Sequence, residues 1–202
     1  RMDLPGFGNS ETPDASWNLN DYIDLVKNFI KKLNLNIDAL VGHSFGGRII
    51  IKGLAGKNIE AEKAVLIGSA GISKTNTAKN FLFRLTAKIG KILTLIPPLI
   101  FWKRQIRQKF YNKIGSDYLN AGALRNTFLN IIGEDLSAAA KKITIPTLLI
   151  WGDCDTQTPV NDGKKLNTLI NGSRLEIIIG AGHFPHQENP EKVSNLIKNF
   201  IQ

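Results

Sequence analysis

Apolar residues along the chain alternate between two rhythms. Tyr22, Leu25, Val26, Phe29 and Leu33 recur at the spacing of one helix face, and the apolar run Ala39, Leu40, Val41 follows. "GGRIIIKGLAGK" then reads as a helix and "KAVLIGS" as a buried strand. Further on, "TLLIWG" is another unbroken apolar run. It precedes a short helix over residues 160–170, closed by Gly172, and the strand "RLEIII". Pro190 starts a last helix with Asn189 as its cap and Val193, Leu196, Ile197, Phe200 and Ile201 on one face. Strands without polar alternation are buried on both sides. With helices between them they predict an α/β fold, a mostly parallel sheet flanked by helices. No internal repeat or low-complexity tract interrupts the pattern.

At 202 residues, with 43% hydrophobic and 21% charged positions, the chain can bury one substantial core with room for an inserted subdomain. The formal charge of +9 is unevenly placed. Between Ile72 and Lys142 stand 13 lysines and arginines against three acids, Asp117, Glu134 and Asp135, whereas the remainder carries 13 bases and 14 acids. This asymmetry divides the chain into a core, residues 1–71 and 143–202, and a basic insert, residues 72–142. Within the insert Phe81, Leu85, Ile89, Ile92 and Leu93 keep helical spacing, Pro97 and Pro98 stop that helix, and Trp102, Ile106 and Phe110 resume it. Arg84, Lys88 and Lys91 fall on another face, which reads as the solvated side of a lid over a substrate. Weak association with an anionic membrane surface is the alternative. No nucleic-acid partner is expected, because the aromatics lie on the apolar face and not among the charges. The apolar run from Ile92 to Trp102 is too short, and too rich in proline, to span a bilayer.

One cysteine, Cys154, excludes an intramolecular disulfide and fits a cytoplasmic location; flanking aspartates raise its thiol pKa and make it inert. The opening "RMDLPGFGNSE" does not read as a signal peptide. Neither a dinucleotide loop nor a phosphate loop occurs, and the three histidines are not spaced as metal ligands, so no cofactor and no metal are expected.

The chemistry gathers at "VGHSFGG", a G-x-S-x-G element between a buried strand and a helix. There Ser44 sits on a sharp turn that lifts its hydroxyl above the sheet, and Gly42 and Gly46 are read as the positions where side chains would obstruct that turn. The backbone N–H of Phe45, at the start of the helix, is placed to hold an oxyanion. Serine needs a base and a group to orient it. His43 adjoins Ser44 and should point away from its hydroxyl, and His186 sits in a loop. His183, directly after a parallel strand, is the better base. "WGDCDTQTP" supplies the acid, Asp155, with Asp153 in reserve. The order serine, acid, histidine is that of one serine-triad fold among several.

With "DLPGFGNSE", "GHSFGG", "LLIWGDCDTQTP" and "GAGHFPHQENP" in this order, nearly the whole chain resembles the α/β-hydrolase superfamily, in its bacterial esterase-like branch with a helical cap. The resemblance implies Ser44 as nucleophile, Asp155 as acid, His183 as base and Phe45 as a backbone oxyanion donor. It implies a carboxylesterase acting on small or medium hydrophobic substrates through an acyl-enzyme. Family members begin with further strands and a His-Gly type loop that supplies a second oxyanion donor, about 50 residues of framework. Without these the chain is expected to be poorly active and to expose an apolar edge at the strand ending at Val41. Carbon–carbon bond hydrolases share the triad, but there a tryptophan is expected where Phe184 stands. Dehalogenases and epoxide hydrolases would need a carboxylate in place of Ser44. Acyltransferases and non-catalytic ligand- or lipid-binding modules of the same fold complete the alternatives, and the oligomeric state is left open.

Overall fold

The computed structural model describes residues 2–72 and 124–202. Most of the basic insert, including every helical position read between Phe81 and Phe110, lies outside the described residues. Among the described residues four strands form one sheet: β1 (Ala39–His43), β2 (Lys63–Ile67), β3 (Thr147–Gly152) and β4 (Arg174–Ile178). They stand in the order β1-β2-β3-β4 and every neighbouring pair is parallel. Each strand pairs with its predecessor in the chain, so all four C-terminal ends open on one rim.

The two central strands, β2 and β3, are apolar along most of their length because both their faces are covered, whereas β1 and β4 at the sides are only partly buried. Val65, Ile67, Leu148, Ile150 and Ile178 form one cluster with Ala181 and Val193, and Leu196, Ile197 and Phe200 of α7 (Pro190–Ile201) pack against it. Their neighbours in sequence, Ala64, Leu66, Leu149 and Trp151, point to the opposite face and are fully buried. On that side lie α2 (Phe45–Ala55) and α5 (Val160–Leu169), the latter with Gly163 against the Trp151 ring. The Trp151 indole N–H donates to Thr158 O at 2.8 Å, which satisfies the one polar atom of a fully buried ring. At the other end of β2, Lys63 donates from Nζ to Phe200 O and Ile201 O at 3.0 and 2.6 Å, placing a cation on the C-terminal carbonyls of α7.

Helix α1 (Leu19–Lys32) begins with a capping box: Asn18 Oδ1 accepts from Asn20 N–H, and Asp21 Oδ2 accepts from Asn18 N–H at 2.7 Å. The apolar face read for this helix is only partly buried. Leu19, Tyr22 and Ile23 are covered, whereas Phe29 and Leu33 are 40% and 53% exposed. The difference has a packing cause: α1 rests chiefly on α2 and not on the sheet, so its C-terminal turns extend past their cover. A second correction concerns α7. Asn189 stands at its N-cap position but makes no side-chain cap hydrogen bond, and Pro190 alone fixes the start. Gly172, with φ at +71°, follows the end of α5, and the Ser173 hydroxyl donates to Ile170 O at 2.8 Å there.

The chain divides into two compact units, one of residues 17–73 and 130–202, which holds the sheet, and one of residues 1–16 and 74–129. In the sheet unit, Arg48 of α2 donates to the carbonyls of Ile131 and Glu134, where α3 (Arg125–Ile132) ends, and Lys52 pairs with Glu134 at 2.7 Å. Leu136, Ala140 of α4 (Ser137–Ala140) and Ile143 are buried in the same unit. In the other unit, Asp3 organises the turn at residues 5–10: its carboxylate accepts from Asn9 N–H at 3.0 Å and its carbonyl from the Ser10 hydroxyl at 2.8 Å. No helix among the described residues is long and apolar enough to cross a membrane.

Among the described residues, β1 has a partner on one side only, and Val41 in its middle is 50% exposed. An apolar edge of this kind templates strand addition. The 202-residue chain is therefore expected to self-associate at micromolar concentration, and Val41→Lys to shift it toward monomer. Light scattering coupled to size exclusion checks this; an unchanged mass for the variant would exclude the edge as the cause.

Candidate active site

The link between β1 and α2 is one residue, Ser44. Its backbone adopts φ 47° and ψ −106°, a combination outside the ordinary wells of L-residues, of the kind that costs about 1–3 kcal/mol and persists only where surroundings enforce it. Enforcement comes from β2. Ser44 N–H donates to Ile67 O at 3.0 Å, and Ser44 O accepts from Ala70 N–H and Gly47 N–H at 3.1 Å each. The hydroxyl makes no capping hydrogen bond to α2. Gly42 is required by close approach, because a Cβ there would meet Gly46 C and Ile50 Cδ1 at 2.7 Å. Gly46 is not: a Cβ on it would meet no described atom within 4 Å. The obstructed position is Gly47, whose added Cβ would run into the Ser69 side chain. The turn is thus confined by the strand before it and by β2, and no described residue crowds position 46 on its outer side. Phe45, the first residue of α2, packs its ring edge-on against Tyr22 with centroids 5.0 Å apart.

Asp155 and His183 come from the loops after β3 and β4 and meet at the rim: Oδ2 lies 2.8 Å from Nδ1, and both residues are buried. A carboxylate accepts, so Nδ1 carries the hydrogen and Nε2 the lone pair. Burial pushes the Asp155 carboxyl upward. The hydrogen bonds from His183, from the Thr158 hydroxyl at 2.8 Å and from the Thr158 amide at 2.9 Å outweigh it and hold the group below the usual carboxylate range. Gln157 N–H is a further donor, to Oδ1 at 2.9 Å. Thr158, absent from the residues singled out in sequence, also lies 3.0 Å from Gly68 O and 3.2 Å from His183 Nδ1, so it packs the pair against the end of β2.

Asp153 is elsewhere. Its Oδ1 accepts from Gly180 N–H at 2.7 Å, closing the turn that precedes the histidine loop, and it touches no imidazole. Ser44 is one strand over: Ile67, which accepts from its amide, is followed by Gly68, and a Cβ on Gly68 would stand 3.4 Å from both Asp155 Oδ2 and His183 Nδ1. No hydrogen bond joins the Ser44 hydroxyl to His183. His43 turns toward the histidine loop and away from the elbow, with Nε2 2.8 Å from His183 O. Burial dominates its titration and lowers its pKa to about 4. The His186 ring lies tilted against His43, centroids 4.6 Å apart, and burial lowers its pKa as well. The exposed Cys154 thiol is pushed up by its hydrogen bond to Asp153 and by that carboxylate's charge. Among the described residues no group of three or more His, Cys, Asp or Glu side chains is arranged to hold a metal ion.

Comparison with known proteins bears on the family of the chain. An uncharacterized protein of Mycobacterium tuberculosis is 25% identical across 98% of this chain, which spans 66% of that protein's length. The 2-hydroxymuconate semialdehyde hydrolase of a Pseudomonas species is 25% identical, with 98% of this chain and 74% of the relative covered. An esterase structure from Exiguobacterium antarcticum superposes with a TM-score of 0.70 at 23% identity, covering 98% of this chain and 79% of the esterase. The model of the alpha/beta hydrolase family matches residues 1–196, and the chain belongs to that family.

Proposed function

We propose that the protein is a serine hydrolase that cleaves carboxylic esters through an acyl-enzyme, with Ser44 as nucleophile, His183 as general base and Asp155 as its orienting acid. The observation that carries this reading is the buried Asp155–His183 pair at 2.8 Å, set beside a serine in a strained strand-to-helix turn. In the reaction His183 Nε2 takes the Ser44 proton as Oγ attacks the ester carbonyl. Asp155 stabilises the imidazolium that forms, and the Phe45 amide receives the oxyanion. Collapse expels the alcohol, which takes the proton from His183. Water, activated by the same base, then releases the acid and restores the serine. The serine and histidine are not hydrogen-bonded, a looseness common before substrate binds. A small or medium hydrophobic acyl or alkyl group is the proposed substrate class, on the strength of the apolar positions between Phe81 and Phe110 in the sequence.

The similarity to a semialdehyde hydrolase favours a second reading, hydrolysis of a carbon–carbon bond by the same residues. Phe184, 40% exposed where a tryptophan is expected in such enzymes, weighs against it. A fluorophosphonate probe tests the common core of both. Covalent labelling at Ser44, lost in Ser44→Ala, is the expected result; a folded protein that stays unlabelled would favour a binding module. Turnover of p-nitrophenyl acetate then distinguishes an esterase from a carbon–carbon bond hydrolase.

A further inference from the structure

The loop that delivers His183 is held by two side chains remote from Asp155. Glu188, the last residue of α6 (Pro185–Glu188), folds back over its own helix: Oε2 accepts from Gly182 N–H at 2.6 Å and Oε1 from Phe184 N–H at 3.1 Å. These are the amides on either side of His183. From the opposite direction, across 140 positions of sequence, His43 Nε2 lies 2.8 Å from His183 O. A carbonyl only accepts, so His43 is the donor and its Nε2 carries the hydrogen. The peptide joining His183 to Phe184 is therefore gripped at both ends, its C=O by His43 and its N–H by Glu188. Ring contacts complete the fixture: the His43 centroid lies 4.8 Å from that of His183 and 5.0 Å from that of Phe184.

We propose that His43 and Glu188 are positioning residues that fix the main chain of His183 so that its imidazole meets the Ser44 hydroxyl and Asp155 together. Asp155 and Thr158 meet the ring of His183, and Asp153 and the Cys154 amide hold the loop as far as Gly180 and Ala181; the His43 and Glu188 bonds hold the main chain on either side of His183 itself. His43 immediately precedes Ser44, so its bond also ties the base loop to the strand that bears the nucleophile. A displacement of the order of 1 Å in such an arrangement costs up to about 100-fold in rate.

The inference rests on the assignment of Ser44 and His183 above, and the test separates the two. The second-order rate of labelling by a fluorophosphonate, together with kcat and KM for p-nitrophenyl acetate, is measured for the unaltered chain and for His43→Phe, His43→Gln, Glu188→Ala and Glu188→Gln. His43→Phe keeps an aromatic ring and loses the donor; His43→Gln restores a donor. Glu188→Gln keeps one acceptor oxygen. His43→Phe and Glu188→Ala are expected to slow labelling and kcat by about 10–100-fold with KM little changed, as for other groups that orient a functional imidazole. Both glutamine variants should fall between them and the unaltered chain. Labelling of His43→Phe and Glu188→Ala at the unaltered rate would overturn the proposal and leave the serine mechanism standing. So would equal losses in the phenylalanine and glutamine variants of His43. Failure of the unaltered chain to react at Ser44 would overturn the mechanism itself.

Discussion

Replacing Ser44 by alanine is expected to lower kcat for p-nitrophenyl ester hydrolysis by about 10⁴-fold or more, to the level set by binding and the oxyanion donor alone. The size of the effect follows from the chemistry: with no Oγ the acyl-enzyme cannot form, and His183 and Asp155 have no proton to move. Stability should behave differently. Alanine suffers the same clash at φ 47°, ψ −106°, so Ser44→Ala should melt close to the parent. Ser44→Gly relieves the turn. Strain worth about 1–3 kcal/mol exceeds the 0.4–1 kcal/mol that glycine adds to the entropy of the unfolded chain, so this variant should be inactive and about 1 kcal/mol more stable. Urea unfolding checks the stability and initial rates check the activity. A Ser44→Gly protein no more stable than its parent would show that the elbow carries little strain.

The second large effect concerns Asp155. In Asp155→Asn an amide group replaces an oxygen that accepts from His183 Nδ1, so the tautomer with Nε2 as base is no longer favoured, and kcat should fall on the order of 10⁴-fold at neutral pH. The acid side of the stability curve responds as well. The Asp155 carboxyl titrates below its unfolded value, so its contribution is present in full above about pH 4 and disappears as the pH falls through the lower folded value. The parent should therefore lose stability on acidification from pH 5 to pH 2 more steeply than Asp155→Asn. The variant starts lower, because four hydrogen bonds converge on that carboxylate at neutral pH. Parallel urea titrations along this range measure it; identical slopes would mean that Asp155 is not held ionised by its neighbours.

Features that depend on neighbours in the chain could be read from the sequence. Unbroken apolar runs such as "KAVLIG" and "TLLIWG" are long enough for strands and too short for helices, and a sheet buried on two faces needs no other signal. The strand-to-helix turn at Ser44 was readable from G-x-S-x-G between an apolar run and a helical pattern, though not which of its later glycines is crowded. Features that depend on contacts across the rim were not. Asp153 and Asp155 follow the same strand two residues apart, and only the fold sends one to Gly180 and the other to His183. Thr158 and Glu188 look like ordinary polar loop residues. Their one local sign is proximity, three residues after Asp155 and five after His183. His43 could be dismissed as a candidate base from its place beside Ser44, but nothing local announces a partner 140 residues away. Gly46 and Gly47 are neighbours in sequence, and which of them faces Ser69 depends on how α2 lies against β2. Phe29 and Leu33 kept the helical rhythm without finding cover, since periodicity marks a face and says nothing of what lies opposite.

Between the strand that leads to Ser44 and the strand that leads to Asp155 runs β2, which is followed by a glycine. At its tip stands Gly68, with φ at +47°; a Cβ there would lie in van der Waals contact with the carboxylate and the imidazole, at 3.4 Å from each. That empty tip works as a spacer. A laboratory library that randomises the loops to change selectivity can recruit the mouths of β1, β3 and β4, but a side chain installed at position 68 would have to hold a left-handed backbone beside the acid and the base. Diversity at this site has three doors, and at the fourth the backbone turn favours glycine.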